Sequence, residues 1–195
     1  MEGSRMKKYK KVIFVCDSGT ARAPMAEAIM KEYMIKYPLE IESRGLVVLF
    51  PEPLNQKAEA VLISNGINVE NQMSCQLEQE DLTPEHLIIA MGEEQRQKII
   101  ENYEIPEGMD LAVLNELTGD ELEIINPYGG TLQAYGLCYE TLNKTIKKLV
   151  NLVNEANEAN EANEANEEEN EDNNEIEGGD VNGESNSNES SVNPA

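Results

Sequence analysis

Val12-Ile13-Phe14-Val15-Cys16-Asp17-Ser18-Gly19-Thr20-Ala21-Arg22-Ala23-Pro24-Met25-Ala26-Glu27 runs an apolar stretch into a cysteine, five small or polar residues, an arginine and a helix-forming segment. Lys11 to Val15 is β-branched and aromatic and short enough for a buried parallel strand, and Pro24 suits the first turn of a helix. The strand-loop-helix this predicts can cup an anion. Small loop residues let backbone N–H groups curl around it, and the helix directs its positive N-terminal end at the same point. A cysteine there, beside an arginine, is expected to be stabilised as the thiolate, the nucleophilic form. Arg22 adds a planar fork that binds two phosphate oxygens and takes up transition-state charge. The segment therefore predicts Cys16 as nucleophile and Asp17, Ser18, Gly19, Thr20 and Ala21 as the phosphate cradle. The competing reading is a buried core cysteine and an unrelated arginine. Cys75 and Cys138 have Asp81 and Lys144 where Cys16 has Arg22, and neither precedes a Pro-initiated helix.

Outward from this segment, Leu39 to Ser43, Leu87 to Met91 and Leu111 to Leu114 read as short apolar strands. Helical stretches are expected at 25–37, 54–65, 93–102 and 131–153, with Asn65-Gly66 as a C-cap and turn. Alternating β and α segments predict a doubly wound α/β fold with a parallel sheet. Ligands bind such sheets beyond the carboxyl ends of the strands, where Cys16 falls. His86, the one histidine, is expected at a surface or cap position.

Residues 7 to about 152 resemble the low-molecular-weight protein tyrosine phosphatases, especially the bacterial branch. The matching segments are Val15-Cys16-x5-Arg22-x-Pro24-Met25-Ala26-Glu27, Ile41-Glu42-Ser43-Arg44-Gly45, Gln76-Leu77-x3-Asp81-Leu82, Leu87-Ile88-Ile89-Ala90-Met91 and Asn126-Pro127-Tyr128-Gly129-Gly130. The resemblance implies a four-stranded parallel sheet and a cysteinyl-phosphate intermediate. It also implies an aspartic acid in an Asp-Pro-Tyr or Asp-Pro-Phe loop that protonates the leaving group and then activates water. It places Leu49-Phe50-Pro51-Glu52-Pro53 in the loop flanking the substrate ring, where Phe50 and Tyr128 are expected to sandwich an aryl group. Phe50 as a core side chain is the equal alternative.

The chain departs from that pattern at several positions. Asn126 stands where the family has its general acid, and an amide cannot release a proton at neutral pH as a carboxylic acid does. Ala23 replaces the Ser or Thr that follows the loop arginine and bonds the leaving thiolate. Gly19 replaces a bracing asparagine, whose left-handed conformation glycine also adopts. Gln72 replaces a supporting histidine. The candidate catalytic set is Cys16, Arg22 and Asn126, with Asp120, Glu121 and Glu123 as substitute acids or as solvated carboxylates.

Composition sets the context. Three cysteines with no paired metal-ligand spacing point to reduced thiols, with neither disulfide framework nor metal site, and no cofactor is expected. No apolar run is long enough to span a bilayer, and the basic start lacks a signal-peptide core, so a cytoplasmic location away from membranes is expected. From Asn154 the repeat Asn-Glu-Ala opens a stretch with almost no apolar residue. It reads as a disordered acidic tail with a solubilising or interaction role, or as a helical continuation through its Glu and Ala residues. Fourteen of the 38 acidic and none of the 15 basic residues lie in 154–195, so the rest of the chain, 24 acids against 15 bases, carries −9 of the formal −23. Acidity throughout argues against nucleic acid as a partner. The expected organisation is an N-terminal extension over 1–10, a phosphatase-like domain over 11–153 and the tail over 154–195. The function expected is hydrolysis of phosphotyrosine or another aryl or acyl phosphate, on a phosphorylated protein or a small phosphate ester. A phosphate- or phosphopeptide-binding module with negligible turnover is the second reading. Arsenate reduction is a distant third, because Cys75 and Cys138 lack the close pairing of resolving cysteines.

Overall fold

The computed structural model describes residues 6–177. Strands β1 (Lys11–Cys16), β2 (Glu40–Gly45), β3 (His86–Ala90) and β4 (Asp110–Val113) form one parallel sheet in the order β2-β1-β3-β4. Helices α1 (Arg22–Lys31), α2 (Gln56–Ser64), α3 (Glu93–Asn102), α4 (Leu114–Thr118) and α5 (Leu132–Glu177) follow or connect the strands. This is the doubly wound α/β fold that the alternation of segments predicts.

The central strands have both faces covered, which is why they read as continuous apolar runs. From β1, Val12, Phe14 and Cys16 join Leu87 and Ile89 of β3 in the larger core, under residues of α1, α2 and α5. Ile13 and Val15 point the other way and pack with Ile88, Ala90, Leu77, Leu82 and Ile99 of α3. Phe14 is fully buried, and truncating such a ring to alanine costs about 3–5 kcal/mol. The edge strand β2, Glu-Ile-Glu-Ser-Arg-Gly, hides only Ile41 and Gly45 and is anchored by charge instead. Arg44 donates through Nε and Nη2 to Asp81 at 2.9 and 3.1 Å and pairs with Glu42.

Several boundaries differ from the sequence reading. Helix α1 stops at Lys31, six residues before Tyr37. The five-residue α4, ended by Gly119 in the left-handed conformation, was not foreseen. Residues 6–10 are no free extension. Tyr9 is buried with its hydroxyl donating to Asp110 at 2.8 Å, Lys7 pairs with Asp110, and Met6 packs on the core.

The expected boundary after Val153 falls inside α5. Tyr135, Cys138, Leu142, Ile146, Leu149, Val153 and Ala156 make a buried stripe at helical spacing that passes it. Asn154 clasps the chain after α1, its Nδ2 donating to the Met34 carbonyl and its Oδ1 accepting from the Lys36 N–H; Glu158 pairs with the Lys36 side chain. The compact unit accordingly runs to Glu158. The helical continuation through the Glu and Ala residues is the one present to Glu177, both being strong helix formers. The rest of the expected tail, 178–195, lies outside the described residues.

Candidate active site

β1 ends at Cys16, and the chain turns through 17–21 into α1, whose first residue is Arg22. Two backbone bonds fix the start of the turn against the segment after β2: Leu46 N–H to the Cys16 carbonyl and Val47 N–H to the Asp17 carbonyl, both 2.9 Å. Asn55 N–H to the Thr20 carbonyl, also 2.9 Å, fixes its end. Gly19 has φ +69°, the left-handed conformation expected of it. It lies so close to β2 that a Cβ there would meet the Gly45 nitrogen at 3.0 Å. Reciprocally, a Cβ on Gly45 would come within 2.6 Å of the Ser18 carbonyl carbon. Arg44-Gly45 is thus scaffold: the arginine anchors β2 and the glycine lets the loop pass.

Cys16, Asp17, Ser18, Thr20, Ala21 and Arg22 line a cavity of about 330 Å³, closed on other sides by Glu52, Asn126 and Tyr128. Gly19, turned to Gly45, supplies backbone only. The Ser18 and Thr20 hydroxyls bond each other at 2.7 Å. Arg22 is buried, with Nη1 donating to the Ile124 carbonyl at 3.1 Å and Nη2 to Asp17 at 2.9 Å. Its fork is thereby aimed before any ligand arrives.

The resting thiol departs from the sequence reading. Burial pushes Cys16 up, against hydrogen bonds from the Ala23 and Gly19 N–H groups and the charge of Arg22, and the Asp17 carboxylate adds to the upward push. Desolvation disfavours the thiolate more than the cradle's hydrogen bonds and Arg22 favour it, so the expected thiolate stabilisation is outweighed by burial. Burial would raise Asp17 too, but hydrogen bonds from Gln95 and Lys98 of α3 and the charge of Arg22 win and hold it lowered, as a carboxylate. Gln95 and Lys98 are contributors that sequence reasoning missed. Nothing in the local pattern of α3 singles them out.

The substitute acids are employed elsewhere. The Lys148 hydrogen bond holds Asp120 low, and Thr118 donates to its second oxygen at 2.8 Å. Glu123 accepts the Glu93 N–H at 2.8 Å, at the start of α3. Neither lines the cavity, nor does Glu121. Asn126 does, its Oδ1 accepting the Tyr128 N–H at 3.2 Å in a local turn that shapes the loop.

Of the two expectations for Phe50, the core one is overturned. It is 65% exposed, so it is not core, and it does not line the cavity; Glu52, two residues on, does. Tyr128 occupies the wall foreseen for it, 77% exposed. Gln72 donates to Glu27 of α1 at 2.8 Å, bracing α1 against Ser43 of β2, and makes no bond to the cradle. All three cysteines are free: Cys75 is exposed, and burial pushes Cys138 up to about 11. Among the described residues no cluster of His, Cys, Asp or Glu is placed to hold a metal ion, and no helix is long and apolar enough to cross a membrane.

A cysteine at the end of the first parallel strand, an arginine six residues on and the Asn-Pro-Tyr loop opposite coincide with a family pattern. Residues 11–160 match "Low molecular weight phosphotyrosine protein phosphatase". The chain belongs to this family. It is 30% identical over 139 residues to the low molecular weight protein-tyrosine-phosphatase PtpB of Staphylococcus aureus, which covers 71% of this chain and 96% of PtpB. Among solved structures, the low molecular weight protein tyrosine phosphatase of T. tengcongensis superposes with TM-score 0.67 at 29% identity, over 72% of this chain and 97% of that one. The YwlE arginine phosphatase of Geobacillus stearothermophilus superposes with TM-score 0.66 at 26% identity, over 73% and 91%. The chain is therefore a phosphatase of the low molecular weight family, with an acidic residue after its cysteine and an amide in its Asn-Pro-Tyr loop.

Proposed function

We infer that the chain hydrolyses phosphate esters of phosphorylated proteins or small molecules, phosphotyrosine and other aryl or acyl phosphates among them, through a cysteinyl-phosphate on Cys16. The observation that carries this is Cys16 in one cavity with the pre-aimed Arg22 fork and the loop backbone. Charge on the transferring phosphoryl group is met by Arg22 and the N–H groups of 17–22, donors that need no reorganisation. With Asn126 in the acid's place the leaving group receives no proton from that loop, so esters of basic alcohols turn over slowly. The chemistry needs Cys16 as a free thiol, which suits a reducing compartment such as the cytoplasm. The test is turnover of an aryl phosphate by the wild-type chain and by Cys16→Ser. Hydrolysis by the first and none by the second is expected; a wild type that binds phosphate without hydrolysis would make it a binding module instead.

A second reading is supported by Asp17 and Glu52, two carboxylates lining an anion-binding cavity. They suit a phosphoryl group attached to a cation, as in phosphoarginine, and one relative bears the name protein-arginine-phosphatase. A guanidine nitrogen that already carries positive charge leaves with less help from an acid. Comparing kcat/KM for matched phosphoarginine and phosphotyrosine peptides decides between the two.

A further inference from the structure

The cavity contains two carboxyl groups, and only one is committed. Asp17 is bound to Arg22, Gln95 and Lys98 and held ionised, so it has no proton to give. Asp120 is paired with Lys148 and Glu123 accepts from the start of α3, both outside the cavity. Glu52 remains, and among the described residues its side chain has no ion pair. Its backbone is fixed: Glu52 N–H donates to the Ser74 hydroxyl at 2.9 Å, and Ser74 N–H donates back to the Glu52 carbonyl at 2.7 Å. Ser74 is itself buried, Pro51 and Pro53 restrict the chain on either side, and Pro53 bridges Met73. A carboxyl on a rigid backbone, lining the same cavity as the loop that has lost its acid, can hand over a proton.

Resting on the phosphatase reading, we propose that Glu52 is the proton donor to the leaving group and the base for the hydrolytic water, a role moved from the Asn-Pro-Tyr loop to another residue of the cavity lining. In the first step Cys16 gives its proton to a phosphoryl oxygen of the bound ester, and its thiolate forms the S–P bond while the ester P–O bond breaks. The electron pair goes to the departing oxygen, which takes the proton of the Glu52 carboxyl. In the second, the Glu52 carboxylate takes a proton from the water whose oxygen attacks phosphorus. The P–S bond breaks, its pair returns to Cys16, and phosphate leaves. Glu52 is not held by a closing loop as the acid of an Asp-Pro-Tyr loop would be, so it serves as a partial replacement, ranked between an aspartate at 126 and no acid at all.

Glu52→Gln keeps the shape and removes the proton. Two substrates are compared in the full-length chain: phenyl phosphate, with a basic leaving group, and p-nitrophenyl phosphate, with an acidic one. Glu52→Gln is expected to lower kcat/KM, which reads the first step, by roughly 10²-fold for phenyl phosphate, the lower end of general acid contributions, with kcat/KM for p-nitrophenyl phosphate little changed; loss of the base for the second step lowers kcat on both. Glu52→Asp retains part of the rate, and Asn126→Asp on the Glu52→Gln background restores it. An equal loss of kcat/KM on both substrates marks a structural effect and overturns the proposal, as does no loss of kcat/KM on either. If Glu52→Gln is silent while Cys16→Ser is dead, the phosphatase reading stands and Glu52 is not the acid. If the wild type hydrolyses neither substrate, both fall.

Discussion

The two faces of the cavity are held in different ways. Residues 16–22 are fixed from every side: β1 in the centre of the sheet behind them, Gly45 in backbone contact beside them, three backbone hydrogen bonds along the turn and α1 ahead. The wall at 124–128 hangs on Ile124, buried and bound through its carbonyl to Arg22, and on buried Pro127, while Asn126 and Tyr128 on either side of that proline are exposed. The first face supplies anion binding and the second normally supplies the proton. In this chain the first keeps its geometry while the second has exchanged its acid for an amide, so binding and turnover are separable by mutation.

The sharpest way to break that separation is Cys16→Ser. Hydrolysis should disappear while phosphate or vanadate still binds, because the loop N–H groups and Arg22 are untouched; calorimetric titration with vanadate reads the second half. Loss of binding along with turnover would show that the thiol is part of the cradle.

Asn126→Asp comes next. Restoring an acid to the exposed wall should raise turnover of a basic-leaving-group ester by a good part of the roughly 10²- to 10⁴-fold typical of general acids. The dependence of kcat on the leaving group's basicity should flatten together with the gain. Ala23 caps it, since the departing Cys16 thiolate has no hydroxyl there to receive it.

Asp17→Asn probes the rigid face from within. The carboxylate helps to push the Cys16 thiol up, so neutralising it favours the thiolate and lowers the thiol's pKa. Alkylation by iodoacetamide should reach its plateau at lower pH in the variant, and phosphate should bind a few-fold more tightly as a negative charge leaves the cavity. Unchanged alkylation would mean that burial alone sets the thiol.

How much of this is legible in the sequence follows physical lines. The strand, the loop and the order of β and α segments are local patterns, and all are present at Lys11–Arg22 and through the sheet. Gly19 is legible too, because its φ is a property of one residue. What escaped depends on where distant segments meet. Gln95 and Lys98 reach Asp17 from 78 and 81 residues away, Glu52 rather than Phe50 faces the cavity, and Asp120 and Glu123 find other partners. The contacts of α5 beyond 153 are not legible because Asn-Glu-Ala repeats look alike from 154 onward, while Asn154 and Glu158 meet Met34 and Lys36 in the fold.

The smallest expected effect concerns that end. Deleting 159–195 should leave the thermal midpoint and both faces of the cavity unchanged. Deleting 154–195 also removes the Asn154 clasp and buried Ala156, and should lower the midpoint by a few degrees, at roughly 2–4 °C per kcal/mol for a domain of this size. Equal midpoints would return the boundary to 153.

The contact between Gly19 and Gly45 sets the compliance of the whole pocket. With backbone already against backbone, the loop has no travel toward β2, so the displacement needed to seat a phosphoryl group is directed away from the sheet edge. Arg22 lies at the end of that loop and grips Ile124, so a shift of the loop on entry is felt at a core residue of the second wall. The site has one side without slack, and what it admits is decided on the other, by the exposed side chains of Asn126 and Tyr128 beside buried Ile124 and Pro127.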